Sequence, residues 1–166
     1  METLKKFLVD YITSTSAVSD AILLDENNFS DTNIYDVDGF YSHIQFRKDQ
    51  YQVQIFSTPS NFIIPEHKHP NVDSFEICLS GDIDFSLDGS WLSNWDIKDH
   101  TFIDNLFVVE VEHNAIHGAI FGEGGGRFMS VQHWINEVKP SCVGLDYDGL
   151  GVSTKQSEVD KVKFKK

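Results

Sequence analysis

The chain has 166 residues, 40% of them apolar and 13 of them phenylalanine, with 26 acidic against 13 basic side chains and a formal charge of −13. That length suits a single domain, spanning residues 1–166, that can bury a sizeable core. The acidic excess repels phosphate backbones and anionic lipid, so no nucleic acid and no membrane is expected among the partners.

Leu4, Phe7, Leu8, Tyr11 and Ile12 recur at helical spacing and predict an amphipathic helix within residues 1–14, packed outside the core. Nothing of signal-peptide length follows Lys5 and Lys6, and Cys78 and Cys142 stand in no paired spacing. Both features point to a reducing, cytoplasmic setting. From Thr13 to Ser42 the chain is rich in Ser, Asp and Asn, which predicts loops and one short strand.

From Ser42 the pattern turns to short strands: 42–47, 51–57, 62–69, 74–80, 82–87, 101–103, 107–111, 116–121 and 127–135. Turn signals separate them at Asp49-Gln50, Thr58-Pro59, Asp88-Gly89, His113-Asn114 and the run Gly122–Gly126, which reads as a hairpin turn. No Lys-Ser or Lys-Thr follows that run, so it is no phosphate loop. Many short strands at close spacing predict a β-barrel core over residues 42–135. Trp91 to Lys98 reads as a surface loop whose Trp91 and Trp95 offer an oligomer contact, and a homodimer is expected. Past Pro140, Val143 to Val152 can still pack, and 153–166 reads as a flexible, solvated tail.

Within this series His67 and His69 alternate at the end of an apolar run. Side chains two apart on a strand share a face, so the two imidazoles can converge on one point. Neutral imidazoles that converge are metal ligands awaiting a third. Single histidines such as His43 and His100 read instead as structural residues, and His113 as a turn residue.

His67, His69 and Gly81 resemble the first motif of the cupin superfamily, in which two histidines one residue apart are followed by a glutamate and then a glycine. Ser74 stands at the glutamate position, with four residues between it and His69 and six between it and Gly81. The stretch Glu112-His113-Asn114-Ala115-Ile116-His117 sits where the second motif belongs, with Glu112, Asn114 and Phe121 in place of its proline, glycine and asparagine. Asn114 can still supply the positive φ of that turn. The resemblance implies an all-β fold, a cupin-like double-stranded β-helix or jelly roll with an N-terminal amphipathic helix. It also implies that His67, His69 and His117 meet inside as ligands of a divalent transition metal: Fe, Zn, Ni, Cu or Mn.

Glu76 lies two residues beyond Ser74 and so on the same strand face, whereas Asp73 points away. A carboxylate on an inward face needs a partner to stay charged. Glu76 is therefore the expected acidic member, as metal ligand or catalytic base, with Cys78, Gln132 and His133 expected in the substrate pocket. Two functions follow. One is an enzyme acting on a small polar molecule at a three-histidine metal site, of dioxygenase, isomerase or hydrolase type. The other is a non-catalytic cupin-fold protein serving ligand binding or assembly.

Overall fold

The structure is a computed structural model and describes residues 1–29, 39–94, 102–103 and 106–140. Expectations placed on Trp95, His100, Cys142, residues 143–152 and the tail 153–166 lie outside those residues. Two helices, α1 (Glu2–Ser14) and α2 (Ala17–Leu23), come first. The strands are β1 (Tyr41–Lys48), β2 (Tyr51–Thr58), β3 (Ile63–His67), β4 (Val72–Leu87), β5 (Ser90–Ser93), β6 (Phe102–Ile103), β7 (Leu106–Val111) and β8 (His117–Trp134).

Period-two alternation divides every central strand between two cores. Val53, Ile55, Phe75, Ile77, Val108, Met129 and Val131 form one, closed by Leu4 and Leu8 of α1 and Ala21 of α2. Leu4 and Leu8 are one turn apart and fully buried, which is why this polar-faced segment is helical and lies flat on the sheet. Phe56, Phe107, Val109, Val111, Phe128 and Trp134 point the other way and form the second core with Phe62, Ile64, Ile83, Phe85, Ala119 and Phe121. Burying each such side chain stabilises the fold by about 1.5–3 kcal/mol.

Helix α2 falls where loops were expected. Its C-terminal carbonyls are held by a residue distant in sequence: one guanidinium nitrogen of Arg127 donates to the carbonyls of Ala21, Ile22 and Leu24, each at 2.9 Å. A cation at a helix C-terminus satisfies the unpaired carbonyls and the local dipole together.

The segments expected as separate strands at 74–80 and 82–87 form one continuous β4, and those at 116–121 and 127–135 form β8. The two long strands pair antiparallel over both halves. The run Gly122–Gly126 is correspondingly not a hairpin turn. Phe121 pairs with Ile83 and Gly126 with Gly81, so Gly122 to Gly125 bulge opposite Asp82 alone. Such a bulge bends and twists the strand that carries it. Glycine is required at this bend because a Cβ on Gly81, at φ +84°, would lie 2.2 Å from the Gly125 carbonyl oxygen. A Cβ on Gly125 would meet the Thr58 oxygen at 2.1 Å.

Beyond the bend, β4 and β8 leave one set of partners for another. Their outer halves sit in the order β1-β2-β8-β4-β7-β6, while β5 adds to β4 and β3 to β8 at the other end. The sheet is open: among the described residues no pairing joins β1 to β6, so the core is not the closed barrel expected. Folding at the glycine bend, rather than closure of the edges, brings the two inner faces together.

Candidate metal centre

His67 ends β3 and His117 begins β8, and the two are direct partners in the β3–β8 ladder. His69 follows in the loop after β3, where its carbonyl accepts a 2.8 Å hydrogen bond from the amide of Asn114. Asn114 adopts φ +67°, the left-handed conformation for which asparagine can replace glycine. The three rings gather with centroid separations of 4.8 Å (His67–His69), 4.3 Å (His67–His117) and 5.2 Å (His69–His117). One ligand atom from each lies within 4.8 Å of the others.

Local backbone sets the tautomers. Nδ1 of His67 lies 2.6 Å from the Pro65 carbonyl oxygen and Nδ1 of His117 lies 3.0 Å from that of Ala115. A carbonyl can only accept, so each Nδ1 carries the proton and each Nε2 presents its lone pair. Burial, and then the charges of His117 and His69, hold His67 well below the usual imidazole range. Burial and then His117 push His69 down to about 3, and burial lowers His117. Three neutral imidazoles converging on one point are the donor set a divalent transition ion takes.

The rings border a cavity of about 40 Å³ whose other walls include Phe40, Phe56, Phe85 and Phe128. That is room for roughly three water molecules. Across it stand Ser74, Glu76, Ser130 and Gln132. Oε1 of Glu76 accepts from both Ser74 Oγ and Ser130 Oγ at 2.7 Å. Burial nevertheless outweighs those two bonds and raises the Glu76 carboxyl to about 7. Glu76 thus faces the cavity but stands outside the three-histidine group of ligand atoms. Of the carboxylate, expected as metal ligand or base, Oε1 is held by the two serines.

Gln132 lines the cavity and belongs to a buried chain of amides. Gln52 Nε2 donates to Gln132 Oε1 at 2.9 Å, Gln132 Nε2 to Ser130 Oγ at 3.1 Å, and Trp134 Nε1 to Gln132 Oε1 at 3.0 Å. Cys78 and His133 do not line it. Cys78 lies further along β4 beside an adjoining cavity of about 20 Å³ that shares Glu76, Phe85 and Phe128 with the first, with Asn94 Nδ2 at 3.3 Å from its sulfur, and burial pushes its thiol up to about 11. His133 shares the helix-side face with Met129 and Val131 and stacks on Tyr51 at 4.8 Å. Asp73 points away from the histidines, toward His113. Sequence reasoning missed Ser130 and the aromatic wall, although the alternation Phe128, Ser130, Gln132 against Met129, Val131 carries the signal.

Fold and site together define a protein of the cupin fold, a double-stranded β-helix, with three histidines gathered between its inner faces. An RmlC-like cupin from Shewanella frigidimarina superposes with a TM-score of 0.50 at 13% identity, covering 68% of this chain and 90% of the other. A double-stranded β-helix protein from Klebsiella pneumoniae gives 0.49 at 14% identity over 70% and 92%. KdgF from a Halomonas species gives 0.48 at 15% identity over 61% and 84%. No protein-family model and no curated protein matches the sequence.

Proposed function

We propose that the protein binds a divalent transition metal through His67, His69 and His117 and is an enzyme acting on a small molecule at that ion. The observation that carries the reading is the gathering of one ring nitrogen from each of His67, His69 and His117 within 4.8 Å, with Nδ1 of His67 and His117 engaged by the Pro65 and Ala115 carbonyls so that their Nε2 lone pairs stay free of those bonds. When bound, the ion supplies Lewis-acid or redox chemistry with coordination positions left open. The chain supplies the rest. Phe40, Phe56, Phe85 and Phe128 exclude water from the cavity, and Glu76 holds a proton that it can give or take near neutral pH. Ser74 and Ser130 fix Oε1 of Glu76 and so orient its carboxyl.

The second reading, a non-catalytic binding or assembly protein, is favoured by Ser74 standing at the position of the superfamily's glutamate. Elemental analysis of tag-free protein tests the first reading. We expect stoichiometric transition metal in the wild type and its loss in the His67→Ala, His69→Ala double variant with the fold kept. Metal retained by the double variant places the ion elsewhere and sinks the proposal.

A further inference from the structure

The turn Glu112–Ala115, which joins β7 to β8, is tied to the histidine centre at two atoms. Its Asn114 amide donates to the carbonyl of His69 at 2.8 Å, and its Ala115 carbonyl accepts Nδ1–H of His117 at 3.0 Å. The turn closes on itself through the Ala115 amide and the Glu112 carbonyl at 3.0 Å. A displacement of this one segment therefore moves two of the three rings.

What anchors the turn is Asp73, on the neighbouring strand and facing away from the cavity. Its Oδ1 accepts from the His113 backbone amide and lies beside His113 Nδ1, both at 2.8 Å. Burial acts to raise the Asp73 carboxyl, but the His113 backbone and side-chain bonds, the His113 charge and the N-terminal ammonium together hold it below its ordinary value. A buried carboxylate that stays ionised grips its donors more strongly than a neutral acceptor does.

We propose that Asp73 is the positioning residue of the histidine centre: it pins the Glu112–Ala115 turn, and the turn aims His69 and His117. The inference rests on the metal-binding reading above and adds a residue that touches neither ion nor cavity. Asp73→Asn keeps one acceptor oxygen for the His113 amide and removes the charge; Asp73→Ala removes both contacts.

Cobalt(II) titration with chelator competition, run on fully folded protein, separates positioning from mere stabilisation. The affinity should fall about 10- to 100-fold in Asp73→Ala, the range seen when an outer partner of a ligand is lost. It should fall less in Asp73→Asn, and the visible cobalt band should change in both. A lowered melting temperature with wild-type affinity and band in the variants overturns the proposal, and Asp73→Asn decides alone if Asp73→Ala does not fold. Wild-type protein that takes up no cobalt through His67 and His69 defeats the metal reading by itself. Amide exchange at Asn114 in metal-free protein then judges Asp73: faster exchange in Asp73→Asn supports it, and unchanged exchange overturns it.

Discussion

On the side of β4 and β8 turned to the helices, Phe75, Ile77, Met129 and Val131 interlock with Leu4 and Leu8; one residue away, on the inner side, stand Ser74, Glu76, Ser130 and Gln132. Both sides are buried. The first gains stability from every side chain, whereas the second must spend hydrogen bonds to hold groups that would be better solvated in water. An inner wall of aliphatic residues would make a more stable domain. The polar wall therefore answers to the cavity it borders, and the two faces should respond differently to substitution.

The largest effect is expected where both faces are set at once, at the bend. Gly81→Ala forces a side chain into a positive-φ residue 2.2 Å from the Gly125 oxygen. Strain of that backbone region and the displaced strand together should destabilise the protein by about 5 kcal/mol or prevent folding. Urea denaturation that finds less than about 1 kcal/mol would mean the crossing yields easily and does not fix the two faces.

Next comes the helix-side face. Met129 is fully buried between the sheet and the helices. Met129→Ala should lose about 4 kcal/mol through transfer and cavity terms. Metal affinity, measured on folded protein, should be that of the wild type. A variant that loses stability and metal together would break the comparison, because the two faces would then form one energetic unit.

These expectations rest on details of unequal legibility. The alternation of Ser74 and Glu76 with Phe75 and Ile77 was readable in the sequence because a strand has only two faces, whereas His69, expected on one strand with His67, lies in the loop after β3 and reaches the group from there. The third histidine came through the turn resemblance around Asn114. Helix α2 was not readable, since its last carbonyls are held by Arg127 from the far end of the chain. The glycine run read as a turn because glycine permits both a turn and a bulge, and only the pairing of Gly126 with Gly81 decides. Alternation does put Cys78 on the inner face with Glu76, in regular register opposite Phe128, but one pair further along, where it lines the adjoining small cavity and not the histidine cavity. His133 was placed in the pocket although its neighbours Met129 and Val131 already marked the helix side.

The inner face gives the smallest but most diagnostic effect, through Glu76. Its carboxyl is raised from 4.5 to about 7 by burial, so the folded protein holds a proton that the unfolded chain has released. The folded state thus binds more protons across that window, and stability contributed by this group falls as pH rises from about 4.5 to about 7. At about 1.4 kcal/mol per pH unit the total is roughly 3 kcal/mol, complete above neutrality. The three histidines act in the opposite sense: their lowered values mean that folding releases protons, and their contribution grows as pH rises toward 6.5. Glu76→Gln removes the first effect and leaves the second. In metal-free protein the variant should match the wild type near pH 4.5 and exceed it in stability at pH 8. Its metal affinity should fall about 10- to 100-fold, as for an outer partner of the ion. Stability curves that run parallel from pH 5 to pH 8, with equal metal affinity, would make Glu76 an ordinary buried acid and leave the inner face a three-histidine site without a proton carrier.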